Sequence, residues 1–95
     1  MFIGNRISKY NRISTENCEE LGLTTIKSKS NCEAVAKNLG LKDTSAVDFR
    51  SDSFPHGCVY SEDDWLGWNS PNDNPFPNIP CGSNDGYRNN DCLCE

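Results

Sequence analysis

The sequence predicts a small disulfide-rich α+β domain: one short helix at about residues 31–39 packed on a short, mostly antiparallel sheet, with a long irregular loop at 70–91. Three observations predict it. Six cysteines are spread over 95 residues of which only 35% are hydrophobic. One stretch, Ser30 to Gly40, spells out both ends of a helix. Another, Cys58 to Asn69, reads as two strands around a polar turn.

A chain of this length has room for one core, and a mean hydropathy of −0.71 makes that core thin. Small domains with thin cores recruit disulfides, each worth about 2–4 kcal/mol. Cys18, Cys32, Cys58, Cys81, Cys92 and Cys94 suit three bridges, and their spacing does not choose the pairing. The implied compartment is oxidising: extracellular, lumenal or the surface of a particle.

In the helix, Ser30 and Glu33 have the spacing of a capping box, and Gly40 stands where a left-handed terminating residue is needed, with Leu41 as its apolar partner. Cys32, Val35, Ala36 and Leu39 form one apolar stripe. Such a short helix does not hold alone in water. The stripe must dock, and a disulfide through Cys32 is expected to fasten it to its platform.

Thr24–Lys27 has the β-branched make-up of a short strand after a turn at Cys18–Leu23, and Ser45–Ser51 alternates so that Val47 and Phe49 share a face. The hairpin follows: Cys58–Ser61 and Trp65–Asn69 flank the turn Glu62-Asp63-Asp64, with Cys58 and Tyr60 on one face and Leu66 and Trp68 opposite them. Residues 70–91 are rich in Pro, Asn, Asp and Gly, and only a cross-link through Cys81 would keep such a loop ordered. Cys92-Leu93-Cys94 closes the chain as a strand whose two cysteines share a face, so each can staple a different element.

Residues 1–17 are read as an N-terminal arm and 18–95 as the single stapled domain. Ile3, Ile7, Tyr10 and Ile13 recur every three to four residues, suiting a weak amphipathic helix or an arm laid along a partner. Met1-Phe2-Ile3-Gly4 lacks the basic and long apolar regions of a signal peptide, so a leader and flanking segments are expected to lie outside this chain. No apolar run approaches the roughly 18 residues of a membrane span. The net charge of −5 argues against nucleic acid. Arg6, Lys9 and Arg12, with Lys27, Lys29 and Lys37, read as solvated surface charge.

The order of landmarks is more specific than any one of them. Cys18, Ile26, Cys32-Glu33-Ala34-Val35-Ala36-Lys37-Asn38-Leu39-Gly40-Leu41, Pro55-His56-Gly57-Cys58-Val59-Tyr60, Leu66-Gly67-Trp68-Asn69, Cys81 and Cys92-Leu93-Cys94 follow one another. This order resembles an uncharacterised cysteine-rich module abundant in extracellular proteins of unicellular algae and other protists, often in tandem copies. The resemblance covers residues 18–95 and implies a building block of surface structures. It carries over no catalytic residues. This chain departs from the tandem pattern by holding one copy.

Residue chemistry points the same way. His56 is the only histidine, set between Pro55 and Gly57, and any His-based catalytic apparatus would be built on it. Zinc is disfavoured because Cys92-x-Cys94 is tighter than a zinc knuckle and no second pair is correctly spaced. Asp63, Asp64, Asp73, Asp85 and Asp91, with Asn72, Asn74 and Asn84, offer hard oxygens for Ca²⁺, but the EF-hand spacing is missing. These residues read as turn chemistry, with no cofactor expected. Tyr60, Trp65, Trp68 and Asn69 sit where an aromatic platform could face a sugar ring, although core packing is the simpler reading. Trp68 to Asn72 and the ending Cys94-Glu95 bear a distant resemblance to C-type lectins, whose Glu-Pro-Asn and Trp-Asn-Asp motifs are absent. Asn69-Ser70-Pro71 fails as an N-glycosylation acceptor.

The function expected is a non-enzymatic structural or interaction subunit of a larger extracytoplasmic assembly, a filament, shell or multisubunit complex. Its partners would be protein subunits, met through the arm (Ile3, Ile7, Tyr10) and the 70–91 loop. The alternative is a carbohydrate-binding module using the aromatic hairpin, with Trp65 and Trp68 as its contacts. A small secreted enzyme comes third.

Overall fold

The computed structural model describes residues 10–72 and 74–95. In chain order the elements are β1 (Asn11–Ile13), a 3-10 turn (Glu19–Leu21), α1 (Lys29–Asn38), β2 (Val47–Phe49), β3 (Gly57–Ser61), β4 (Trp65–Asn69), β5 (Ser83–Asn84) and β6 (Asn89–Cys94). The strands form one sheet in the order β1-β6-β3-β4-β2, with β5 pairing β6 alongside β1. Every pairing is antiparallel except β2 with β4, which is parallel.

The hairpin forms as its alternation predicts. Cys58 pairs with Trp68 and Tyr60 with Leu66. The three-residue turn between them closes through the Asp64 N–H on the Ser61 carbonyl, at 3.0 Å. Asp64 takes a left-handed φ of 62° there, a conformation a short polar side chain tolerates.

Helix α1 crosses one face of this sheet. Cys32, Val35 and Ala36 are buried and meet Ile26, Ala46, Cys58, Tyr60, Leu66, Trp68 and Leu93 in one apolar core. Full burial of a Val- or Leu-sized side chain contributes about 1.5–3 kcal/mol, so this face carries most of the hydrophobic stabilisation. The Cys32–Cys58 disulfide fastens the helix to β3, as expected. At the far end Gly40 has φ 70°. The Gly40 and Leu41 N–H groups bond to the carbonyls of Lys37 and Ala36 at 3.1 and 3.0 Å, the paired stop that a left-handed glycine permits.

The helix starts earlier than the expected residue 31. Ser28 is the cap, accepting from the Asn31 N–H at 3.2 Å. The Ser30–Glu33 capping box does not form, because the Glu33 carboxylate is used at long range on the Ala46 N–H, at 2.8 Å. A reciprocal box does exist elsewhere. Asn17 and Glu20 exchange side-chain to backbone bonds of 3.0 and 2.8 Å at the 3-10 turn.

Other expectations shift in detail. Thr24–Lys27 is no strand: Thr25 makes one bridge to Cys94, and Thr24 exchanges backbone bonds of 2.6 and 2.9 Å with Glu95. The irregular 70–91 loop is shorter than expected, because Ser83–Asn84 and Asn89–Asn90 pair as β5 and β6. Residues 10–17, assigned to the arm, belong to the domain. Asn11–Ile13 is a sheet strand rather than part of a helix, and Tyr10 packs against the helix-side core.

On the opposite face no α-helix packs among the described residues. Cys18, Cys81, Cys92 and Cys94 form a small buried cluster with Ile13 and Leu23 against it. Cys18–Cys94 ties the chain start to β6, and Cys81–Cys92 ties the long loop to the same strand. Cys92 and Cys94 thus share a face and staple different elements, as period-two alternation requires.

Candidate functional site

Two buried asparagines organise the face without a helix. Asn69, at the end of β4, is fully buried. Its amide nitrogen donates to the carbonyls of Ser51, Phe54 and Pro55 at 3.2, 3.1 and 3.0 Å. Its oxygen accepts from the Ser51 N–H and the Asn74 side chain at 3.3 and 3.1 Å. One amide therefore pins both the 50–56 and the 70–76 segments. Asn90, also fully buried, accepts from the Ser61 hydroxyl and donates to the Asp85 carboxylate at 3.1 Å. That holds the β5–β6 hairpin against β3.

Asp85 sits inside this second hub with its side chain 6% exposed. Burial raises its carboxyl, but the Tyr87 N–H, the Asn90 amide, the Arg88 N–H and the Arg88 charge outweigh that and hold it below the ordinary value. At Glu19 the same contest is won by the Thr25 N–H and hydroxyl, again leaving the carboxyl lowered despite burial. Both carboxylates are structural acceptors.

The sites foreseen in the sequence fall out as follows. All six cysteines are paired. Tyr60 is fully buried and Trp68 only 6% exposed. The Tyr60 hydroxyl accepts from the Asp43 N–H at 3.1 Å and donates to Asp64 at 3.2 Å, and the Arg12 guanidinium lies 4.9 Å above its ring. Trp65 is three residues from Trp68 and lies on the other face. No joint Trp65–Trp68–Tyr60 platform forms, and Asn69 is an internal hub rather than a contact. Ile3, Ile7 and Asp73 lie outside the described residues.

Most of the oxygens considered for calcium are engaged with protein groups. Asp63 pairs with Arg88 at 2.8 Å, Asp91 with Arg12 at 2.7 Å, and Asp64 with Lys42 at 3.8 Å. Asn84 and Asn74 accept from the N–H groups of Gly86 and Phe76 at 2.7 and 3.0 Å. The described residues contain no group of three or more His, Cys, Asp or Glu placed to hold a metal ion. His56 is used by the loop. Its N–H donates to Asn78 at 2.9 Å, and its ring Nε2 is 2.8 Å from the Phe76 carbonyl.

An apolar surface lies at the β2 edge, apart from the separately exposed Leu21, Phe76 and Tyr87. Trp65, Phe49 and Phe54 cluster on the face without a helix, with ring centroids 4.8 Å (Phe49–Phe54), 5.4 Å (Phe49–Trp65) and 6.1 Å (Phe54–Trp65) apart. They lie directly over β4 because Gly67 has no side chain. A Cβ there would sit 2.5 Å from the Trp65 ring and 2.6 Å from that of Phe49. Arg88 covers Trp65 from 5.0 Å. Beside this cluster Val47 is 49% exposed. Among the described residues β2 pairs with β4 alone, at the end of the strand order. The sequence placed Val47 and Phe49 on one face. It did not show that the face would be a sheet edge, nor that Asn90 would be buried.

No protein-family model matches the chain, and neither does any of the curated proteins or solved structures compared with it. Three intramolecular disulfides fit an oxidising compartment. No helix among the described residues is long and apolar enough to cross a membrane.

Proposed function

We propose that this chain is a non-enzymatic structural or interaction subunit of a larger extracytoplasmic assembly, working through its surface. The observation that carries this reading is the apolar surface at the β2 edge: half-exposed Val47 bordered by Phe49, Phe54 and Trp65. Exposed apolar sheet edges are a liability that isolated domains blunt and assembling ones use. The disulfide framework supports placement outside the cytoplasm, and the order of cysteine and glycine landmarks resembling the algal and protist surface module points the same way. Glycan binding through Trp65 and Trp68 has less support, because the two rings lie on opposite faces of β4.

The test is the size of material isolated unreduced from its native source, read by light scattering with negative-stain imaging. The expected result is a particle many times the 10.6 kDa of one chain. A clean monomer would contradict the reading.

A further inference from the structure

We propose that Tyr87 is a site of oxidative cross-linking, where peroxide-driven coupling joins the rings of two copies of this chain as dityrosine. This rests on the subunit reading above and names a covalent bond that locks neighbouring subunits together.

Three observations carry it. The first is access. The chain has three tyrosines, and only one is open to solvent. Tyr60 is fully buried, its hydroxyl held between the Asp43 N–H and the Asp64 carboxylate. Tyr10 is partly buried against the helix-side core. Tyr87 is 94% exposed. Burying an aromatic side chain of this kind removes about 150–250 Å² from water, and a chain this poor in apolar residues leaves that gain unused at Tyr87. The needs of the fold do not account for this ring.

The second is presentation. Tyr87 stands with Gly86 at the tip that joins β5 to β6, where the Asp85 N–H bonds the Arg88 carbonyl at 3.1 Å. Beneath the tip, one oxygen of the Asp85 carboxylate accepts from the N–H groups of Tyr87 and Arg88 at 2.9 and 3.1 Å, and the other from the Asn90 amide at 3.1 Å. The Cys81–Cys92 disulfide ties the base of the same hairpin. The backbone is thus fixed while the ring stands in solvent. Two such tips meet ring to ring with little backbone entropy left to lose.

The third is the lack of competing electron donors. Thiols quench tyrosyl radicals, and all six cysteines are paired. Trp68 is only 6% exposed, and Trp65 is partly buried with the Arg88 guanidinium 5.0 Å above its ring. The three disulfides also fit a compartment without the glutathione and thioredoxin that keep cytosolic thiols reduced.

The chemistry balances with hydrogen peroxide as oxidant. Each phenol gives up one electron and its hydroxyl proton, which leaves spin on the oxygen and on the Cε carbons beside it. Two radicals form a Cε–Cε bond. The hydrogen on each bonded carbon then moves to the phenolic oxygen and restores both aromatic rings. The two electrons and two protons released break the O–O bond of the peroxide and leave as two waters. With one accessible tyrosine per chain, coupling stops at a covalent pair. It locks subunits that already touch and does not build a network.

The experiment treats the full, oxidised chain with hydrogen peroxide and a haem peroxidase, comparing wild type with Tyr87→Phe and Tyr10→Phe. Unchanged circular dichroism and three intact disulfides verify that each variant folds. On reducing gels and by mass spectrometry, wild type and Tyr10→Phe are expected to give a dityrosine-fluorescent dimer of twice 10.6 kDa less two hydrogen atoms. Tyr87→Phe is expected to lose both dimer and fluorescence. A dimer of undiminished yield from Tyr87→Phe would overturn the proposal, as would a wild-type chain that gives none. The same cross-link, joining two copies of the peptide around residue 87, is expected in protease digests of material from the native source. If that material is a particle of many subunits without the cross-link, the subunit reading stands and this inference fails.

Discussion

The two faces of the sheet are held by different means. On the helix side, Val35, Ala36, Leu66, Leu93 and the Tyr60 ring pack into one apolar core with a single disulfide through it. On the other side lie two disulfides, two buried asparagines and the loops they hold. A chain with few apolar residues can fill one face by hydrophobic burial. The second face is organised by covalent closure and by fully satisfied amides, whose loss leaves many buried groups without partners. The aromatic cluster sits half-buried at the β2 edge because no second α-helix among the described residues covers it.

Replacing Cys18 and Cys94 together by serine opens a closure spanning 76 residues of sequence. Its loss should cost about 4–5 kcal/mol on the chain-entropy estimate, measured by urea denaturation. Losing Cys81–Cys92, which spans 11, should cost about 3 kcal/mol. Equal losses would show that chain entropy does not set their worth.

Leu66 and Asn69 are three residues apart on β4 and face opposite sides, so they test each face separately. Leu66→Ala should cost about 3 kcal/mol through the cavity it leaves. Asn69→Ala should cost about 2 kcal/mol, because the carbonyls of Phe54 and Pro55 lose their donor. The first should weaken the whole fold. The second should first release residues 50–56 and 70–76, seen as lost protection of the Ser51 amide in hydrogen exchange.

The smallest effect is one of pH. The Asp85 carboxyl is depressed in the folded state, so the stability it adds is fully present above its ordinary value of 3.8 and is lost as pH falls through its lower folded value. Asp85→Asn should therefore be less stable than wild type at neutral pH, with the gap closing on acidification below 3.8. A gap independent of pH would contradict the assignment of Asp85 as a charged acceptor.

The helix face was largely legible in the sequence because its signals are local. The stripe from Cys32 to Leu39, the stop at Gly40 and the alternation from Cys58 to Asn69 depend on near neighbours. The helix start was misplaced by a long-range competitor: Glu33 bonds the Ala46 N–H, 13 residues away, and Ser28 caps instead. The other face was hardly legible. β1 and β5 are too short for propensity to mark, and exist because β6 offers them an edge. A buried Asn69 looks in sequence like any turn asparagine, because its five hydrogen bonds go to four residues in two separate stretches. Disulfide pairing, too, is fixed by which strands meet.

The most direct test of this account is hydrogen exchange on the oxidised wild-type chain and on the Cys81→Ser/Cys92→Ser variant. The account predicts that protection is lost in residues 70–88 while α1, β3 and β4 keep theirs. A uniform loss across helix and hairpin would contradict it, showing that the two faces stand or fall as one unit.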